Sequence, residues 1–270
     1  MNDAQLKTDK EGRVNGPALR VRPRSTAALL VATLTGLVAF GWPLLVRPGA
    51  GVSESYSATL IFALLLPLVL AVVLAELSEG GIDAKAVAML GVLSAVGGAL
   101  RLLGGGTGGV ETVFFLILLS GRAFGAGFGF VLGCTTLLSS ALLTGGVGPW
   151  LPFQMLAAAW MGFGAGMLPR CRGWREILLL TGYGIVASLA YGLALNLSFW
   201  PFALGGDTQL SFVAGAPVLE NLHRLVLFSL ATSLGWDLGR AVTTAVLIAV
   251  TGPAVLLVLR RAARRARWTT

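Results

Sequence analysis

The polar side chains that could bind a solute in this chain stand beside three glycine-rich segments. These segments are RLLGGGTGGVE at 101–111, TGGVGPWLPFQ at 144–154 and NLSFWPFALGGDTQ at 196–209. Guanidinium, carboxylate and amide groups can hold a polar molecule by hydrogen bonds, and the aromatic rings beside them can cover it. The candidate binding residues are Arg101, Glu111, Trp150, Gln154, Asn196, Trp200 and Asp207.

Several of the charges could instead pair with one another. Arg101 and Glu111 flank the first glycine segment and could form an ion pair across it. Arg240 could pair with Asp237 or with Glu220, and the i to i+3 spacing puts Asp237 and Arg240 on one helix face. The sequence leaves these alternatives open.

The elements that must position these residues are membrane helices. No residue from 123 to 169 is Asp, Glu, Lys or Arg, and the whole chain is 56% hydrophobic and only 12% charged. A water-soluble helix needs a solvated face, whereas about 20 apolar residues suffice to cross a bilayer. The sequence predicts an all-α integral membrane protein, with a segment at 218–235 lying at the interface and eight crossings at 27–46, 57–76, 84–103, 111–121, 124–144, 151–168, 176–204 and 237–259.

Basic residues orient these helices. With the N-terminus in the cytoplasm, sixteen of the 20 Lys and Arg residues fall on the inner side, as the positive-inside rule requires. We therefore expect a multi-pass plasma-membrane protein with both termini cytoplasmic and with membrane lipids as partners. The net charge of +8 is not arranged as a nucleic-acid groove. The predicted division is a basic tail at 1–25, a two-helix hairpin at 26–82, a six-helix core at 83–260 and a second basic tail at 261–270.

Small residues recur at helical spacing on two of the predicted helices. Ala84, Ala88, Gly91, Ala95 and Ala99 follow one face of the third helix. Ala28, Ala32 and Gly36 do the same on the first. Such faces let another helix approach closely, and spacing alone leaves open whether that helix is internal or belongs to a partner.

Several catalytic signatures do not occur in the sequence. It contains no G-x-x-x-x-G-K-[ST] phosphate loop, no H-E-x-x-H and no G-x-S-x-G. His223 is the one histidine, and neither cysteine belongs to a metal-ligand cluster. We therefore expect no enzymatic activity, no cofactor and no bound metal.

The stretch from 111 to 169 resembles the substrate-binding S-components of energy-coupling factor (ECF) transporters, and the similarity extends over about 83–265. The pattern closest to it is that of the cobalamin-type members. The matching positions are Gly121, Arg122, Gly125, Gly129 and Gly133, followed by Gly146, Gly148, Pro149, Trp150, Pro152, Gln154 and Met155.

The resemblance implies a six-helix core that captures a vitamin or vitamin precursor in a cup formed by the outer loops, here 104–110, 145–152 and 205–218. It also implies a transmembrane coupling subunit and two cytoplasmic ATPase subunits as partners. Ala84 and Ala88, with Ala95 and Ala99 further along the same face, match the spacing of the family's docking motif. The hairpin at 1–82 departs from the six-helix form. The alternative is a membrane scaffold or assembly protein without a small-molecule ligand, whose glycines only permit tight packing.

Overall fold

A computed structural model describes residues 23–45, 68–69, 71, 84–104, 107–204 and 208–267. Every regular element in these ranges is helical, and a single 3-10 turn at Thr107–Gly109 joins the second and third helices. The helices are α1 (Pro23–Leu45), α2 (Ala84–Gly104), α3 (Phe114–Phe124), α4 (Ala126–Thr144), α5 (Leu151–Met167), α6 (Trp174–Ala203), α7 (Val218–Thr232) and α8 (Leu234–Arg267).

The predicted helices that fall within the described ranges are present. Five segments are long and apolar enough to cross a membrane: 85–104, 107–124, 126–144, 174–201 and 234–264. They fit a multi-pass membrane protein. The predicted helix at 57–76 and the N-terminal tail at 1–25 lie largely outside the described residues, so the hairpin and the total of eight crossings stay predictions. Within the predicted tail at 261–270, α8 continues as a helix to Arg267.

Helices α3, α4 and α5 cross at glycines in the centre of the bundle. A Cβ atom added to Gly129 of α4 would lie 2.6 Å from the carbonyl carbon of Gly162 in α5 and 2.8 Å from the Cα atom of Gly121 in α3. Such distances leave no room for a side chain, so the three backbones are in direct contact. Glycine at the crossing is how helices approach this closely in lipid. Around it, Leu132 and Met155 are fully buried.

The two rows of small residues have different surroundings. On α1, Ala32 is buried, and a Cβ atom on Gly36 would lie 2.8 Å from the Trp160 ring of α5. Ala32 and Gly36 of that row therefore pack inside the protein. On α2, Ala88, Gly91, Ala95 and Ala99 are all exposed, and a Cβ atom on Gly91 would meet nothing within 4 Å.

The opposite face of α2 makes its internal contacts. Ser94 and Thr135 of α4 share a hydrogen bond of 2.7 Å between their hydroxyl oxygens. A Cβ atom on Gly97 would lie 2.6 Å from the Thr136 side chain. The exposed row of α2 is thus turned away from the bundle in the described part of the chain. Ala84 is helical and belongs to the same row by its spacing.

Successive helices from α2 to α6 run in opposite directions, so the polar residues at their ends fall into two groups, one at each end of the bundle. The end of α2, the start of α3 and the start of α8 meet at one end of the bundle, which we call the glycine-loop end. The end of α3 and the start of α6 meet at the opposite end, which we call the arginine end. From Arg240 to Arg260, α8 rises about 30 Å, which is close to the thickness of the hydrocarbon core.

Candidate functional site

The glycine-loop end contains a buried ion-pair cluster built on α8. Arg240 Nη1 donates to Asp237 Oδ1 at 2.7 Å, and Arg240 Nε donates to Glu111 Oε2 at 3.2 Å. Arg240 is 9% exposed and Asp237 is 7% exposed. Of the two partners that the sequence left open for Arg240, the structure shows Asp237, and Glu220 pairs with Arg224 instead. The ion pair that the sequence offered for Glu111 and Arg101 is not formed, since the partner of Glu111 is Arg240.

Neutral side chains of α6, of α7 and of Ser233, which directly follows α7, extend this cluster. Ser233 Oγ donates to Asp237 Oδ2 at 3.2 Å. Asn196 Nδ2 donates to Ser233 Oγ at 2.5 Å and to Ser229 Oγ at 3.0 Å. Asn196 is thus held by two hydroxyl groups of the bundle, and the polar chain runs without interruption from α7 to Glu111.

Aromatic and backbone contacts hold the arginine in place. The guanidinium carbon of Arg240 lies 5.0 Å from the centre of the Tyr191 ring, in cation–π range. Asp237 lies against the backbone of α6 at Gly192, where a Cβ atom would overlap the carboxylate. A side chain at position 192 would therefore displace the carboxylate and its ion pair.

The first glycine segment folds back onto α8. Gly108 and Gly109 have positive φ angles of 59° and 76°, a conformation that glycine adopts without strain. Their backbones contact the backbone of Trp236 and Gly239. This segment places Glu111 beside Arg240, so its described part turns a tight corner onto α8.

Arg101, at the same end of the bundle, makes its own hydrogen bonds with α4 and α5. Its Nη1 donates to Ser140 Oγ at 3.4 Å, and its Nη2 donates to Gln154 Oε1 at 3.3 Å. Both acceptors are neutral, and both distances are at the long end for hydrogen bonds. Arg101 is half-buried at the last turn of α2, so α2, α4 and α5 converge on this guanidinium.

The remaining predicted binding residues are dispersed. Trp150 is 54% exposed, and its Nε1 donates to the carbonyl oxygen of Gly146 at 3.3 Å. Trp200 is fully buried, and its Nε1 donates to the carbonyl oxygen of Leu210 at 2.6 Å. Trp200 therefore stabilises the segment before α7, and Trp150 presents a free face. Asp207 lies outside the described residues.

The arginine end contains a second buried cluster that sequence reasoning missed. Glu176 Oε1 accepts hydrogen bonds from Arg122 Nε and from Arg260 Nη2, both at 2.6 Å. Arg122 also donates to the carbonyl oxygens of Leu168 and Pro169 at 2.7 and 3.0 Å. Glu176 is 2% exposed. This cluster, the Glu176 clasp, ties the ends of α3 and α5 to α6 and α8.

No spacing rule could have found the clasp, because its members lie 54 and 84 positions apart. Two sequence features could have pointed to the clasp: Arg122 directly precedes the charge-free run, and Glu176 lies in the first turn of a long apolar helix. A charge at such a position in a membrane protein commonly has a partner.

The chemistry available at the glycine-loop end is recognition by hydrogen bonds and charge. Among the described residues, no group of three or more His, Cys, Asp or Glu side chains is placed to hold a metal ion. The two polar contacts there differ, because Arg240 is neutralised by two carboxylates whereas Arg101 donates hydrogen bonds to neutral oxygens only.

In comparisons with known proteins, no family model, no curated protein and no solved structure matches this chain.

Proposed function

We propose that this protein is the solute-binding membrane subunit of an ATP-driven importer of the ECF type, and that it captures a vitamin or vitamin precursor at the outer face. The observation that carries the proposal is the group of polar side chains that several helices bring together at the glycine-loop end of the bundle. Polar groups at membrane depth are costly and commonly serve a substrate path.

The site within that end would lie around Arg101, Gln154 and Trp150. These residues combine a guanidinium group, an amide group and a half-exposed indole ring on the neighbouring ends of α2 and α5. A small-molecule site typically combines apolar and aromatic surface with a few polar groups that fix orientation. A cobalamin-like compound is the first candidate because of the resemblance described above.

The outward row of small residues on α2 supports a subunit role. Ala88, Gly91, Ala95 and Ala99 form a flat strip, and no described part of the chain covers it. Leu90, on another face of α2, is buried in the bundle. A second transmembrane subunit could pack its own helices against this strip. In this arrangement the coupling subunit would contact α2, and two ATPase subunits would supply the energy.

One observation favours the alternative, a membrane scaffold without a solute. Gly121, Gly129 and Gly162 are fully used in backbone packing, and the segment at 107–109 lies flat against α8. Glycines that only permit close packing would explain these contacts equally well. The two functions differ in whether a small molecule stays with the protein.

Binding of a solute tests the proposal directly. We would extract the full chain in a mild non-ionic detergent, identify retained small molecules by mass spectrometry and measure cobalamin binding by equilibrium dialysis. Trp150→Ala should weaken binding about fivefold, because an aromatic contact contributes roughly 1 kcal/mol. Trp174→Ala is the matched control, since Trp174 is an exposed indole at the arginine end. The absence of any retained solute, of cobalamin binding and of copurifying ATPase subunits would support the scaffold.

Assembly tests the partner separately. Ala88→Trp combined with Ala95→Trp would raise bulky rings on the strip and should abolish copurification of the coupling and ATPase subunits. Val186→Trp is the control, because Val186 is an exposed apolar position on α6. If the double variant assembles as well as the control, the docking surface lies elsewhere.

A further inference from the structure

Charge pairing at the glycine-loop end leaves one arginine without a carboxylate among the described residues. Glu111 and Asp237 both pair with Arg240, and Glu220 accepts from Arg224 at 2.9 Å. In the described part of the chain, Arg101 forms hydrogen bonds with neutral side chains only. A buried or half-buried guanidinium normally has an anionic partner, because its charge is costly to remove from water.

The neighbours of Arg101 can complete an anion site. Ser140 supplies a hydroxyl group, which can donate as well as accept, and Gln154 supplies an amide with two N–H donors. Ser140 is fully buried, and Gln154 is half-buried in the first turn of α5. Guanidinium, hydroxyl and amide donors from three helices suit a planar carboxylate or a phosphate, which an arginine can bind through two parallel hydrogen bonds.

A cation would not fit the same place. Arg101 would repel it, and in the described part of the chain the carboxylates of this end are already engaged by other arginines. The hydrogen bonds from Arg101 to Ser140 and Gln154 are long, 3.4 and 3.3 Å, and therefore weak. An anion is a stronger acceptor and can replace them.

We infer that Arg101, together with Ser140 and Gln154, binds an oxyanion group of the captured solute, either a carboxylate or a phosphate. This inference rests on the proposed function and narrows its substrate class to compounds that carry a negative charge. The phosphate of a lipid head group has the same chemistry, since Arg101 lies near the end of a membrane-spanning segment, and the experiment separates the two sources.

The test uses thermal unfolding of the full chain in non-ionic detergent with inorganic phosphate, butyrate or the uncharged butyramide. Phosphate or butyrate should raise the unfolding temperature of the wild type, and butyramide should not. In Arg101→Gln the apparent affinity for the anion should fall about 10- to 100-fold, the usual effect of losing a charge-assisted hydrogen bond. Arg101→Lys keeps the charge but loses the paired geometry, so it should lie in between.

Arg224→Gln is the matched control, because Arg224 is another arginine of the same end that already has a carboxylate partner. It should respond to the anions as the wild type does. The inference is overturned if Arg101→Gln also responds like the wild type, if butyramide acts as strongly as butyrate, or if no anion stabilises the wild type.

A lipid arm completes the design. Phosphatidylglycerol is added to delipidated protein, and competition with butyrate is measured. If the lipid alone stabilises the wild type, prevents the butyrate effect and loses its own effect in Arg101→Gln, the site belongs to lipid and the solute assignment is overturned. If the wild type and Arg101→Gln retain the solute equally strongly, this inference is overturned and the proposed function still stands. Failure of the wild type to retain any solute would count against both.

Discussion

Replacing Glu176 with glutamine should destabilise the protein more than any other single exchange of a carboxylate for its amide among the described residues. The side chain of Glu176 is 3% exposed and receives a hydrogen bond from each of two arginines. Breaking a buried ion pair typically costs about 3–5 kcal/mol, because a charge is left buried without its counterion. Arg260 is partly exposed and can turn toward water, and Arg122 keeps two backbone carbonyl partners. We therefore expect a loss of about 2–4 kcal/mol in the free energy of unfolding.

The chain contains its own reporter for this measurement. Cys134 is fully buried, whereas Cys171 is partly exposed. In a Cys171→Ser background, a thiol-reactive dye would therefore label Cys134 only when the bundle opens, and the labelling temperature would follow unfolding. Glu220→Gln is the control, since its pair with Arg224 is exposed and should contribute at most about 1 kcal/mol. Equal labelling temperatures for the two variants would refute the assignment of the clasp as a stabilising contact.

Two further predictions concern packing. Gly129→Ala should reduce the free energy of unfolding by about 1–3 kcal/mol, because the added methyl group would press on the backbones of α3 and α5; Gly91→Ala faces open space and should be neutral or stabilise by up to about 1 kcal/mol. The same thiol assay compares them, and similar effects would contradict the glycine crossing. Trp200→Phe should cost about 1–3 kcal/mol, since it leaves the Leu210 carbonyl without its indole donor; an unchanged labelling temperature would show that this bond contributes nothing.

Local sequence patterns predicted the helices and the contacts within them. The charge-free run from 123 to 169 gave α4 and α5 to within two residues at each end. Helical periodicity offered the Asp237–Arg240 pair as one of two alternatives, and this one is formed because both side chains lie on one helix face. The segment predicted to lie at the interface, 218–235, contains the 15-residue helix α7, which ends at Thr232.

Contacts between distant helices could not be predicted in the same way. Arg101 is close to Glu111 in the sequence, whereas Arg240 is 129 positions away. The contact of 107–109 with α8 brings Glu111 next to Arg240, and this contact could not be predicted from local sequence. The small-residue rows on α1 and α2 look alike in sequence, yet one packs on Trp160 and the other faces outward. The difference depends on which helices are neighbours, and that depends on packing across the whole bundle.

The two ionic clusters have a mechanical consequence. Helix α8 is held at the glycine-loop end through Arg240 and at the arginine end through Arg260, and α6 contributes to both contacts through Tyr191 and Glu176. If α6 and α8 slid along each other or moved apart, charged contacts would break at the glycine-loop end or at the arginine end. We therefore expect α6 and α8 to move together as one rigid unit whenever the protein changes its orientation in the bilayer.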